Sequence, residues 1–205
     1  MTTDPLLKYR EQHKHRLNYM PWLYWSLKPK HREWAEAWQA EYQAYLMEME
    51  TIEIGKNCFI SPLAHIFAER GRKITIGDNT FIAADCTLHG PLEIGNEVAI
   101  NHHSILDGGR AGIKLHDQVR IAAYSHLYAF DHGMDLDRPI YQQAVTSKGI
   151  EIGRDVWLGA HVGIKDGVKI GHHAVVGMNS MVTKNIEDFA IVAGNPARLI
   201  RYRTE

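Results

Sequence analysis

A mainly β solenoid of about six coils, preceded by a helical segment, is the fold class this sequence predicts. Three observations lead to it. Aliphatic residues recur every six positions over most of the 205-residue chain, glycine often follows them directly, and the first 50 residues carry a different, helical periodicity. A period of six suits neither a 3.6-residue helix nor an alternating strand. It suits hexads of one short strand and one turn, stacked so that each anchor points into a narrow axis.

The helical segment, residues 1–50, comes first. Trp34, Trp38, Tyr42, Tyr45 and Leu46 fall at helical spacing and predict an amphipathic helix. A shorter helix is expected from Leu6 to Asn18, with Pro21 and Pro29 breaking the chain between the two. Two readings of the apolar face stand: packing on the solenoid or a neighbouring subunit, or a wall for an acceptor.

The hexads run through residues 51–187. One run is Ile76, Ile82, Leu88, Ile94, Ile100 and Leu106, and another is Ile152, Leu158, Ile164, Ile170, Val176 and Val182. Shorter runs start at Ile54 (with Ile60 and Ile66) and at Leu115 (with Ile121 and Leu127), making eighteen anchors in four registers. The fourth position after an anchor is usually small or apolar, as at Cys86, Val98, Val162 and Ala174, so the two cysteines read as buried hydrophobes. Glycine after the anchor, as at Gly77, Gly95, Gly153 and Gly159, reads as a turn requirement. With three hexads per coil the prism is about 29 Å tall. Spacing alone fixes neither that number nor the hand of the coil.

The repeat breaks at AERGRK, at DGGRAG, and over a long stretch between Leu127 and Ile152. The long break holds an excursion, residues 131–149, that must leave the wall; such loops on rigid scaffolds are where function concentrates. Residues 188–205 form a C-terminal tail.

Composition narrows the function classes. Lys and Arg number 23 against 24 Asp and Glu, a net charge of −1, which argues against a nucleic-acid binder held by charge. No run approaches the roughly 20 apolar residues of a membrane span, and MTTDPLLKYREQHKHR lacks the apolar run of a secretion signal. Two cysteines make no disulfide framework, so a reducing cytoplasm is expected.

GIEIGRDVWLGAHVGIKDGVKIGHHAVVGMNSMVTKNI followed by AIVAGNPARLIRYR resembles the closing coils of hexapeptide-repeat acyltransferases, above all galactoside, maltose and polysaccharide O-acetyltransferases. The similarity extends from about Ile76 to Arg203. It implies a left-handed parallel β-helix, a homotrimer with active sites between subunits, acetyl-CoA as donor, and a sugar or polysaccharide-type hydroxyl as acceptor in a direct ternary complex. No metal is expected on this reading. Two alternatives remain: a zinc solenoid of the gamma carbonic anhydrase type, for which thirteen histidines are reason enough, and a non-catalytic assembly module.

Acyl transfer to an alcohol needs a base, and imidazole, with an unperturbed pKa near 6.5, suits it. His132 opens the excursion, where the family places its base; His126 is the rival and a candidate acceptor contact. Asp107, in SILDGG, matches a family acidic residue near the acceptor, although DGG is also an ordinary turn. Asn101 resembles a family asparagine one position off register. Trp157 either walls the acceptor pocket or caps a coil. On the donor side Ala160 stands where relatives often have serine, and Met178 where they usually have alanine beside the pantetheine arm. Thr183, Lys184, Arg198 and Arg201 match the family's pantetheine and phosphate contacts, as cations near phosphates should.

Overall fold

A computed structural model describes residues 5–204. Three parallel walls of short strands stack into a solenoid of about six turns. The first wall joins Ile52–Ile54, Ile74–Ile76, Leu92–Ile94, Ile113–Leu115, Ile150–Ile152 and Lys169–Ile170 in that order. The third joins His65–Phe67, Thr87–His89, Ile105–Asp107, His126–Tyr128, Gly163–Ile164 and Met181–Val182. The second has eight strands; it begins at Phe59–Ile60 and ends on an antiparallel pair, Ala190–Ala193 with Arg198–Tyr202.

Three hexads make one coil. In the first wall Ile76 pairs with Ile94 and Ile152 with Ile170, each 18 residues apart. Where the repeat breaks, the separation grows: Ile54 to Ile76, Ile94 to Leu115, and Leu115 to Ile152. All three insertions leave at the corner between the third and first walls, so the inward register is unchanged on both sides of each. Every anchor except Ile54 is buried, and Ile54 packs half-buried against the same axial cluster. Each such side chain contributes roughly 1.5–3 kcal/mol of burial.

The turns are built differently from the sequence expectation. The glycine after an anchor does not supply a left-handed backbone. A Cβ on Gly77 would stand 2.6 Å from the Gly95 carbonyl carbon and 2.7 Å from the Asn96 nitrogen, so the next coil's corner excludes any side chain there. Left-handed backbone falls on other positions, mostly non-glycine, with glycine taking it at places such as Gly112, Gly149 and Gly167. Among the described residues twelve that are not glycine take φ between 54° and 65°; eleven of them stand three places after an anchor. Such conformations cost about 1–2 kcal/mol each in the absence of compensation. Stacking side chains offset it. At the corner between first and second walls Asn57 donates to Asn79 at 2.7 Å, Gln118 to Glu97 at 2.8 Å, and His173 pairs with Asp155 at 2.9 Å. At the corner between second and third walls the rings of His103, Tyr124 and His161 stack at 4.7 and 4.9 Å.

The helices close one end. Helix α1 (Pro5–Tyr19) and helix α2 (Pro29–Met49) flank a short 3₁₀ turn, Pro21–Ser26, and both prolines begin an element. Leu17, Tyr24 and Ala35 pack on Phe59, Phe81 and Ala99 of the second wall, with Trp25, Trp34 and Trp38 around them. The solenoid's first edge is covered by a side chain: the Gln39 amide accepts from Ile60 N at 2.8 Å and donates to Ile60 O at 3.1 Å, completing the hydrogen bonding of an otherwise open strand. Leu46 is buried as its spacing predicts, whereas Tyr45 points outward.

Candidate active site

The excursion leaves the third wall after His126–Tyr128 and folds into a hairpin arm, with Asp131–His132 paired antiparallel to Val145–Thr146. No residue from 131 to 149 is buried. Polar contacts hold the arm instead. At its foot Ser147 Oγ donates to Ala129 O at 2.5 Å and accepts from Arg110 N and Ala111 N at 2.9 Å. Buried Asp166 accepts from Lys148 N and Gly149 N at 2.9 to 3.0 Å. Near the tip the Gln143 amide donates to the carbonyls of Asp135 and Arg138.

His132 presents an exposed ring on this arm, edge-on to Phe130 at 6.5 Å. No hydrogen bond or ion pair engages the ring among the described residues. Several other imidazoles are already committed. His89, His103, His116 and His173 face carboxylates at 2.9 to 3.6 Å, and His172 Nδ1 accepts from Arg154 N. His126 is exposed on the third wall, in register between Ile105 and Gly163, and is likewise unpaired among the described residues. What separates it from His132 is the arm.

Asp107 lies directly in register with Tyr128 at the arm's root. Its Oδ1 accepts from Gly109 N at 3.0 Å, and its Oδ2 is 3.4 Å from His89 Nδ1. His89 Nε2 is 3.1 Å from Glu69, which also pairs with Arg72. The hydrogen bond from His89 holds the Glu69 carboxyl below its ordinary range. Asp107 therefore ends a Glu69–His89–Asp107 chain on the wall that carries the arm.

The remaining sequence-predicted residues lie on the second wall and its corners, just after the last strand of the third wall (Thr183 and Lys184), and in the tail. Asn101 donates to Ile121 O at 2.8 Å and lines a pocket with Trp22, Trp25 and Arg120. Ala160 and Met178 share one corner in adjacent coils: Asn179 N donates to Ala160 O at 2.9 Å, and Met178 is exposed. Thr183, Lys184 and Arg198 line one cavity of about 340 Å³ with Glu187 and Tyr202. Arg201 is separated from them. It lies in the register column that runs through Ile191 and Val175 to exposed Trp157, and both line a second pocket with Arg120 and Arg203. One chain thus splits the matched donor contacts between two surfaces.

Sequence reasoning missed Ser147, Asp166 and the His103–Tyr124–His161 stack. The last had a signal, a recurring residue three places after the anchor; the first two look like ordinary turn residues. Burial pushes the Cys86 thiol up to about 12 and raises Cys58 as well, which favours the neutral thiol at both buried positions. Among the described residues no three His, Cys, Asp or Glu side chains form a group that could hold a metal. No helix there is long and apolar enough to cross a membrane.

The family described as Bacterial transferase hexapeptide (six repeats) matches residues 149–184. Galactoside O-acetyltransferase of Escherichia coli K12 is 31% identical over 165 residues, covering 80% of this chain and 70% of that protein. Among solved structures, a point mutant of AntD, an N-acyltransferase from Bacillus cereus in complex with dTDP and coenzyme A, matches with a TM-score of 0.71 at 31% identity, over 79% of this chain and 90% of that one. The hexapeptide-repeat acetyltransferase VCA0836 from Vibrio cholerae, in complex with acetyl coenzyme A, matches with a TM-score of 0.59 at 25% identity, over 99% and 92%. Against three further curated acetyltransferases this chain spans 44%, 25% and 60% of their lengths.

Proposed function

The chain belongs to the hexapeptide-repeat acyltransferases, and from that premise we propose that it transfers an acetyl group from acetyl-CoA to a hydroxyl of a sugar or polysaccharide-type acceptor, with His132 as general base. The observation that carries this reading is the His132 imidazole. It is uncommitted, and it stands on a hairpin anchored to a rigid solenoid.

Acetyl-CoA supplies a thioester carbonyl open to attack. His132 accepts the acceptor hydroxyl's proton as the oxygen bonds to the acetyl carbon, and returns that proton to the departing thiolate. Both bond changes are then balanced in one ternary complex, with no acyl-enzyme. The Ala160 backbone N–H is the donor for the carbonyl oxygen as it gains charge, a role that needs no side-chain hydroxyl. Lys184 and Arg198 meet the anionic end of the coenzyme. Neither forms an ion pair in the described structure, so their charge is available to phosphates. Asp107 and Asn101 contact the acceptor, with Trp157 beside it.

The site is completed by a second copy in a trimer. Support comes from the arm, where Met134, Leu136, Ile140 and Tyr141 are all exposed, an apolar set that this chain leaves uncovered.

The test is an acceptor screen with acetyl-CoA read by mass spectrometry, comparing wild type with His132→Ala. Loss of a base should slow transfer by about 10²–10⁴-fold; normal turnover by the variant would reject the assignment. Lability of the product to mild base distinguishes an ester from the amide that an N-acyltransferase would make.

A further inference from the structure

The arm springs from the fourth coil but is tied to the fifth. Lys165 Nζ lies 3.2 Å from Asp131 Oδ2 on the outgoing leg. Its neighbour Asp166 receives the Lys148 and Gly149 N–H groups of the returning leg. Two consecutive residues of one turn therefore grip both legs. Above its foot the arm is otherwise held, among the described residues, by contacts within itself such as those of the Gln143 amide. Its ladder has only two register pairs, Asp131 with Thr146 and His132 with Val145, and so short a hairpin is marginal alone.

The geometry matters because Asp131 and His132 are neighbours in an extended strand. Their side chains leave opposite faces of the hairpin. Asp131 cannot touch the imidazole, but fixing its carboxylate on one face sets how the ring is presented on the other. The fifth coil also carries Trp157 and Ala160, so a tie to Lys165 links the base to the coil of the proposed donor side.

We propose that Lys165 is a positioning residue, whose ammonium holds Asp131 and thereby aims His132 at the reacting hydroxyl. This rests on the reading of His132 as general base. The ion pair is partly exposed on both sides, so its grip should weaken with salt.

Two measurements on the full chain test it, using wild type, Lys165→Met and Lys165→Arg. The methionine keeps an unbranched apolar chain and removes the charge. Hydrogen exchange read by mass spectrometry should quicken about threefold over residues 129–149 in Lys165→Met, as loss of a partly exposed ion pair implies, with coils 150–182 unchanged. Wild-type exchange in the arm should quicken in high salt in the same direction. With acetyl-CoA and the acceptor found by the screen, kcat should fall about tenfold from misplacement of the base while KM for acetyl-CoA stays put. Lys165→Arg should restore both. Unaltered exchange in Lys165→Met overturns the tie. Faster exchange with unaltered kcat, or a kcat loss that arginine does not rescue, overturns the positioning role. A wild type without any acetyl transfer overturns the parent reading, and exchange still decides by itself whether Lys165 holds the arm.

Discussion

The solenoid walls and the arm are made of the same chain under opposite rules. In the walls every coil repeats the burial of the last, and Ile60, Leu106, Ile121 and Leu158 are wholly enclosed. In the arm nothing is enclosed, and order comes from hydrogen bonds at Ser147, Asp166 and Gln143. The walls resist change because each coil is the template for its neighbours. The arm accepts change except at a handful of polar contacts. That division fits the function proposed above: the scaffold is over-determined, and the His132 imidazole stands outside it on the arm.

The contrast can be broken or sharpened by substitution. The largest effect should be Leu106→Ala, at a fully buried position in the third wall, costing about 2–5 kcal/mol through lost burial and a cavity. Leu136→Ala, on the exposed arm, should stay within about 0.5 kcal/mol. Urea denaturation at one fixed protein concentration compares them, and equal costs would erase the distinction. Next in size is Gln39→Ala, which leaves the N–H and C=O of Ile60 unpaired at the covered edge and should cost about 1–3 kcal/mol. Gln39→Leu should be no better, whereas recovery with leucine would mean that helix α2 protects the edge by packing alone.

The smallest effect is a pH slope inside the solenoid corner. Burial, and then neighbouring His103, lower the pKa of His102, while Asp85 opposes them. Its ring lies edge-on to Tyr19 of helix α1 at 6.0 Å and to Tyr124 at 5.6 Å. The unfolded chain takes a proton near pH 6.5 where the folded chain does not. Stability should therefore be flat above pH 6.5 and decline as pH falls from there toward the lowered folded value. His102→Gln should flatten that decline; an unchanged slope would assign it to other groups.

Much of the scaffold was legible because a six-residue period leaves few ways to bury one side chain in six. The anchors marked the axis, and the breaks marked where chain leaves it. The post-anchor glycines were legible as necessary but not as to why. Crowding by the next coil, unlike local backbone preference, is visible only once coils are stacked. Gln39 was invisible, since a polar residue on an amphipathic helix ordinarily faces water. Of the candidate site, the place of His132 at the start of the excursion could be read, while the contacts that hold the arm could not. Lys165 and Asp166 are 17 or more residues from the legs they hold, and no local pattern joins them. The division of Arg198 from Arg201 was equally hidden, because it follows from register in the final antiparallel pair.

At one corner of the prism the left-handed positions are glycines, as at Gly112, Gly149 and Gly167, where the other two corners stack non-glycine side chains, and the three insertions exit there. It behaves as a splice port: chain of varied length can be let out between Leu88 and Leu92, or between Ile164 and Val168, without altering which residues face the axis. A protein built this way can exchange its working appendage while the spindle beneath keeps time.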